Sequence, residues 1–317
     1  MIHLNLELTG GFGNQVMQYL AGQYLASSLP GSRLSFSLSP YLEQGYRQPE
    51  ILRCGTIPLE SVRRSLQLRL LQRSLRFMHR PLASYAWQWI SGWMRQLELQ
   101  EVQCILDHDD FFSHPPLKVA LAKLRPLYTN SHTHEVIVNG FWQDPRPYLP
   151  QLESLSSDLH WPIELIPEDW RHRSYLTLHL RRGDYCQSLS AAIEFGRRHS
   201  VVGFALNALA VLPSELRRLP LLVLSDDAEW CHMWCNSMAQ GEREVVIFSS
   251  RDPLVDWLLM QRARLNIIAN STFSFTAALL NQRNQMQKLR CLMPTWFSGT
   301  MTTAAKGWTA IPGALEL

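Results

Sequence analysis

No stretch of this 317-residue sequence is long and apolar enough to read as a membrane span. A helical crossing needs about 20 consecutive apolar residues, and runs such as Leu219–Leu224 are only strand-sized. The first residues lack a basic segment followed by an apolar one, so no secretory signal is read there and a cytoplasmic protein is expected. Charge of one sign is also missing. A net charge of +3 is too mild to point to nucleic acid, whose binders gather basic residues on one face, and no nucleic-acid partner is expected. Lysine is scarce beside arginine. The six cysteines contain no CxxC pair, and Cys231 and Cys235, with His232 between them, match no common zinc spacing. They read as reduced, buried thiols, and no metal site is expected. Internal repeats and low-complexity tracts are absent.

With 46% hydrophobic and 18% charged residues, what remains is a globular chain with a substantial core. Ile2, Leu4, Leu6 and Leu8 alternate with His3, Asn5 and Glu7, which predicts a half-buried strand. The turn Gly10-Gly11-Phe12-Gly13-Asn14-Gln15 follows, then apolar residues at helical spacing from Val16 to Leu25. Val102–Leu106 is strand-like. From Tyr175 onward strands and helices alternate. Strands are predicted at 175–180, 221–224, 245–248, 265–269 and 289–293, the last ending the fold at Pro294. Helices are predicted at about 228–238, 253–264 with Asp252 as cap, and 273–281. That alternation implies parallel βαβ units and a doubly wound α/β sheet. The Pro/Trp-rich run 160–170 is the boundary candidate. Residues 61–100 interleave arginines with leucines and end in tryptophans. They suit either an ordinary two-faced helical pair or a surface, within 61–95, that rests on anionic lipid at the inner face of a membrane.

Ligands of doubly wound sheets bind beyond the carboxyl ends of the strands. There the sequence places His179, Arg181, Arg182, Gly183 and Asp184 after one strand, Ser225, Asp226 and Asp227 after the next, and Asn270, Ser271, Thr272 and Ser274 at a helix start. An arginine fork suits a diphosphate and can neutralise a leaving nucleotide diphosphate. Hydroxyls and backbone N–H groups at a helix N-terminus make a second anion seat, though the same residues also suit simple capping. Asp226 or Asp227 can accept from ribose hydroxyls or guanine N–H groups, or merely open the next helix. A surface ion pair between the arginines and Asp184 is the plainer alternative. The Gly10–Gln15 turn is not GxGxxG. Gly11 and Gly13 allow close backbone approach to a ligand, while Asn14 and Gln15 could bind sugar or phosphate or cap the helix.

Taken together these motifs resemble glycosyltransferase family 11, the α-1,2-fucosyltransferases. The resembling segments are GGFGNQ at 10–15, HLRRGDY at 179–185, SDDAEWC at 225–231, IIANSTFSFTAALLN at 267–281 and, more weakly, GFWQD at 140–144. The resemblance implies a GT-B architecture of two Rossmann-like domains facing a cleft, here 1–165, with an insertion at about 60–100, and 166–317. It implies GDP-L-fucose as donor, a galactose-containing acceptor, inversion and no metal. By the same resemblance Arg181 would bind the diphosphate, His179 and Asp227 would lie near guanosine, Ser274 and its neighbours near phosphate, and Asn14 and Gln15 would face the cleft. Phe275, Thr276 and Ala277 depart from the family's two tryptophans and glycine, a change expected to touch the wall beside the phosphate seat.

For the catalytic base, Asp184 is a candidate, with orientation of Arg181 as its other role; Glu7 and Asp144 stand behind it. Three rival readings stay open. One is a metal-dependent GT-A enzyme using the DxD spacing in Asp107–Asp110. The others are a non-catalytic nucleotide-sugar or glycan binder, and a transferase using another GDP-deoxysugar.

Overall fold

The computed structural model describes residues 1–38, 49–59, 102–106, 116–128, 134–183, 201–238, 243–250, 252–281, 283, 288–294 and 308–311. The basic aromatic segment 61–100, the Asp107–Asp110 run, Asp184 and the 186–200 stretch lie outside the described residues.

Two parallel sheets organise the chain. The first holds β1 (Ile2–Glu7), β2 (Arg33–Ser37), β3 (Val102–Leu106) and β4 (His134–Asn139) in the order β2-β1-β4-β3. Helices α1 (Phe12–Ser27) and α2 (Pro116–Tyr128) make the β1–β2 and β3–β4 crossovers. Both crossovers step across the sheet in the same direction. Right-handed connections therefore place both helices on one face, where they touch. The expectation of a half-buried β1 is corrected. The strand is interior, with Leu4 and Leu6 covered on one face and Asn5 and Glu7 equally covered on the other. An interior parallel strand has no solvent face.

The second sheet holds β5 (Leu176–Leu180), β6 (Leu221–Ser225), β7 (Val245–Phe248), β8 (Leu265–Ile267), β9 (Cys291–Pro294) and β10 (Trp308–Ile311), ordered β10-β9-β8-β5-β6-β7. Pro294 closes β9 but is not the end of the fold, because β10 adds a further parallel strand at that edge. Helices α3 (Val201–Ala210) and α4 (Ala228–Met238) cover one face. Leu176, Leu178, Leu180 and Val223 pack there with Phe204, Ala208 and Cys231. Helices α5 (Pro253–Gln261) and α6 (Thr272–Leu279) cover the other. Asp252 caps α5 as expected, accepting from Leu254 N–H.

The core beneath α5 and α6 continues without a break into the core of the first sheet. Trp257 joins the two. It is fully buried, meets Phe12 edge-on at 5.1 Å and Trp161 at 4.6 Å, and donates to Thr276 at 3.0 Å. Arg53 also reaches Asp252 across the junction, but that pair is exposed enough to contribute little. At the same junction the first turns of α1 and α6 abut. A Cβ built on Gly13 would lie 2.4–2.5 Å from the backbone of Thr272 and Phe273.

Backbone cannot yield as a side-chain tip can. Gly13→Ala is therefore expected to destabilise the protein by about 3 kcal/mol, at the upper end of overpacking costs. Gly11→Ala is its control, since a Cβ there meets nothing within 4 Å. Chemical unfolding of the two variants beside the parent checks this; equal stabilities would show that the two helix ends do not abut.

Candidate active site

In the second sheet the chain moves outward one way through β5, β6 and β7, then returns to start β8 on the far side of β5. The β5/β8 gap is therefore a topological switch point, where helices leave the sheet to opposite sides and open a crevice beyond the carboxyl ends. Arg181, Arg182 and Gly183 follow β5 at this gap. Ile268 to Ser271 follow β8 and lead into the N-terminus of α6. Ser271 caps that helix, its hydroxyl accepting from Phe273 N–H.

The two arginines do different work. Arg182 turns toward α4. Its Nε donates to Asp227 at 3.1 Å, and its guanidinium lies 3.8 Å above the Trp230 ring, which stacks in turn on Trp234. Arg181 lies on the His179 side, and its Nη1 donates to Asp226 at 2.9 Å. Among the described residues Asp227 pairs with Arg182 and Asp226 with Arg181, and these are the carboxylates expected to read the nucleoside. Asp226 also accepts from Arg182 N–H at 2.8 Å, and Asp227 from Trp230 N–H, which caps α4. These bonds to Trp230 N–H and Arg182 hold the Asp227 carboxyl below its usual range. Gly183 leaves room for this carboxylate, because a Cβ there would sit 2.5 Å from an Asp226 oxygen and make it shift. Ser225 ties the strands together, donating to Leu180 C=O at 2.7 Å and accepting from Asp227 N–H.

His179 projects from β5 toward α6, its ring 5.7 Å from Phe273. It is buried, and its Nδ1 has no hydrogen-bond partner among the described residues. Burial, reinforced by the Arg181 charge, pushes its pKa down to about 4. A neutral imidazole with an unspent nitrogen thus sits between Arg181 and the α6 N-terminus. Asn14 of α1 reaches the same place from the first sheet. Its Oδ1 accepts from Thr272 at 2.8 Å and from Gln143 at 3.1 Å.

Several expectations need correction. Gln15 does not face the cleft. It is fully buried, donating to Glu50 and Gly10 C=O and accepting from Ile51 N–H. Gly13 accommodates protein backbone rather than a ligand. Ser274 is buried, with Ala269 and Ser271 carbonyls as its acceptors. Asp144 is 1% exposed and held by both oxygens to Arg146, which disqualifies it as a base. Glu7 is equally covered and accepts from Asn139. The departures Phe275, Thr276 and Ala277 do not touch the crevice wall. Phe275 packs on Trp308, Thr276 accepts from Trp257 Nε1, and all three are buried. Asn270, Ser271 and Gly11 stay partly or fully exposed at the carboxyl edge. Cys54, Cys231, Cys235 and Cys291 are free buried thiols. Among the described residues no three His, Cys, Asp or Glu side chains cluster to hold a metal, and no helix is long and apolar enough to cross a membrane.

The model of glycosyl transferase family 11 matches residues 139–309, just over half of the chain, and this span contains all three strand ends at the crevice. The chain belongs to glycosyl transferase family 11. An α-1,2-colitosyltransferase of Escherichia coli is 30% identical over 147 residues, 44% of this chain and 50% of that one. The O-antigen biosynthesis glycosyltransferase WbnK of the same organism is 30% identical over 152 residues, 47% of this chain and 46% of that one. The chain thus spans about half the length of the curated relatives it matches. Among solved structures, POFUT1 in complex with GDP aligns over 92% of this chain and 98% of that one, with a TM-score of 0.42 and 13% identity. A likeness that loose carries no argument about residues or ligands. The fold stands on the two sheets themselves, whose carboxyl ends meet through α1 and α6 as a GT-B architecture requires.

The buried histidine has a measurable signature. The unfolded chain takes up a proton at this position near pH 6.5, the folded chain only near 4. Its contribution to stability is complete above the first value and is lost as the pH falls toward the second, by about 3 kcal/mol. His179→Gln should therefore lose less stability than the parent between those values. Parallel stability curves in urea titrations across that range would contradict the burial of a neutral ring.

Proposed function

We propose that this family 11 chain is a glycosyltransferase that moves L-fucose, with inversion, from GDP-L-fucose to the 2-hydroxyl of a galactose-type acceptor. The observation that carries the proposal is Arg181. It stands at the switch-point crevice, paired with Asp226, near the α6 N-terminus and the His179 ring, whose Nδ1 is unspent among the described residues. An arginine so placed can take up charge as a diphosphate departs.

In the reaction the acceptor oxygen forms a bond to the anomeric carbon as the bond from that carbon to the β-phosphate oxygen breaks. GDP leaves with the electron pair, and the acceptor proton passes to a base or to water. The sugar gains oxocarbenium character and the diphosphate gains negative charge. Stabilising that charge in a fixed geometry is the larger task. A guanidinium offers five N–H donors. Asp226 accepts from Nη1 and helps set the plane of the Arg181 guanidinium. Arg182, spent on Asp227 and Trp230, positions the loop. Asp226 and Asp227 act through the arginines, so nucleoside recognition falls to His179 and Asn270. The proposal requires no metal, because Arg181 and the helix end supply the positive charge. Asp184 fits the base role by its place two residues beyond Arg182.

One observation favours a second donor. The α-1,2-colitosyltransferase shares 30% identity with this chain, so a GDP-linked colitose is the alternative to GDP-fucose. Assays with each donor and a panel of galactosides, followed by linkage analysis of the product, separate the two.

Arg181→Ala is expected to lower turnover by about a hundredfold or more, the cost of one donor lost from a charge clamp, about 3 kcal/mol. Gly183→Ala should approach the same defect by pushing Asp226 off Arg181. GDP release from GDP-fucose with acceptor present measures both, and near-parental rates in Arg181→Ala would reject the assignment.

A further inference from the structure

The loop after β4 has an unusual backbone. Gly140 has φ of +140°, and Trp142 has φ of +53°, the one positive value among the described non-glycine residues. A bulky residue in the left-handed region costs on the order of 1–3 kcal/mol and persists only where its surroundings impose it. Here they do. The Trp142 indole is buried. Gln18 donates to Gly140 C=O at 2.8 Å, Gln143 donates to Asn14 at 3.1 Å, and Asp144 is fixed by Arg146 through both oxygens.

The outcome of this strain is the placement of one side chain. Trp142 is 1% exposed, whereas its neighbour Phe141 is 43% exposed. Its Cε1 lies 3.2 Å from where a Gly10 Cβ would be, so the ring stands over the Gly10–Gly11 turn. The space beside it at Gly11 is open. This turn starts α1, whose Asn14 links Gln143 of the loop to Thr272 of α6. The ring therefore stands at the carboxyl edge of the first sheet, on the wall of the crevice contributed by the opposite half of the molecule from Arg181. A single exposed phenylalanine means little in itself. A phenylalanine held out at that edge by a strained loop that is bonded to α1 at both Gln18 and Asn14 and buries its tryptophan calls for a ligand.

We propose that Phe141 is the acceptor platform, on which the apolar C–H face of the acceptor's galactose-type pyranose stacks. A pyranose presents hydroxyls around its rim and C–H groups on one face. A fixed aromatic ring beside an open, polar helix start matches both. The inference rests on the reading of the crevice as a glycosyltransferase site and names its acceptor side. The anchors Gln18, Gln143 and Asp144 hold the platform and need not touch sugar.

The test pairs Phe141→Ala with Phe141→Trp. The expected result for Phe141→Ala is a rise of about tenfold or more in the KM for N-acetyllactosamine. GDP affinity and acceptor-independent hydrolysis of GDP-fucose stay at parental values. Phe141→Trp keeps the parental KM. An unchanged acceptor KM in Phe141→Ala, or a parallel loss of GDP affinity, overturns the proposal. If the parent proves inactive toward GDP-fucose, the wider reading fails separately. Saturation-transfer NMR with methyl β-D-galactopyranoside then decides the platform alone. Transfer present in the parent and lost in Phe141→Ala supports it, and equal transfer in both, or none in the parent, overturns it.

Discussion

The first turns of two helices from opposite halves of the molecule are pressed together, and the site depends on that contact. Helix N-termini carry partial positive charge and unpaired N–H groups. Bringing α1 against α6 is possible only because Gly13 has no side chain, and Asn14–Thr272 fixes the lateral position. Arg181 and Arg182 emerge beside the same place. The crevice therefore gathers positive charge, which Asp226 and Asp227 balance.

The pairing also divides labour. Arg182 is held by a carboxylate and an aromatic face, and its position is structural. Arg181 is held by a carboxylate wedged against Gly183. That arrangement orients a guanidinium at the β5/β8 gap. His179 adds a buried neutral ring whose Nδ1 has no partner among the described residues. On the far wall the strained loop 140–144 holds an aromatic ring above the start of α1, so the two halves contribute different surfaces to one crevice.

Much of the fold was legible in the sequence because parallel βαβ units carry strong local signals. Asp252 before Pro253 announced a helix start, and the Leu221–Leu224 run announced a buried strand. The location of the crevice was legible too, since a carboxyl-edge rule applies once strands are assigned. Other features depend on contacts between distant segments. Asp226 pairs with Arg181 because β6 lies beside β5, 45 positions apart. Gln15 looks like a ligand-facing polar residue until Glu50 and Ile51 are folded over it. Phe275 and Thr276 seemed to border the site because they follow it in sequence, yet one helical turn carries them to the Trp257 and Trp308 side. Phe141 was passed over because an aromatic residue in a GFWQD segment gives no sign of which of its two rings is buried. The backbone angle of Trp142 decides that, and no pattern in composition or spacing reports it.

The most direct measurement of the central claim is a crystal structure of the protein soaked with GDP. The account places the diphosphate within hydrogen-bond distance of Arg181, close to the first turn of α6, with His179 turned toward the nucleotide. A diphosphate bound away from the β5/β8 gap, or no nucleotide at saturating concentration, would contradict it.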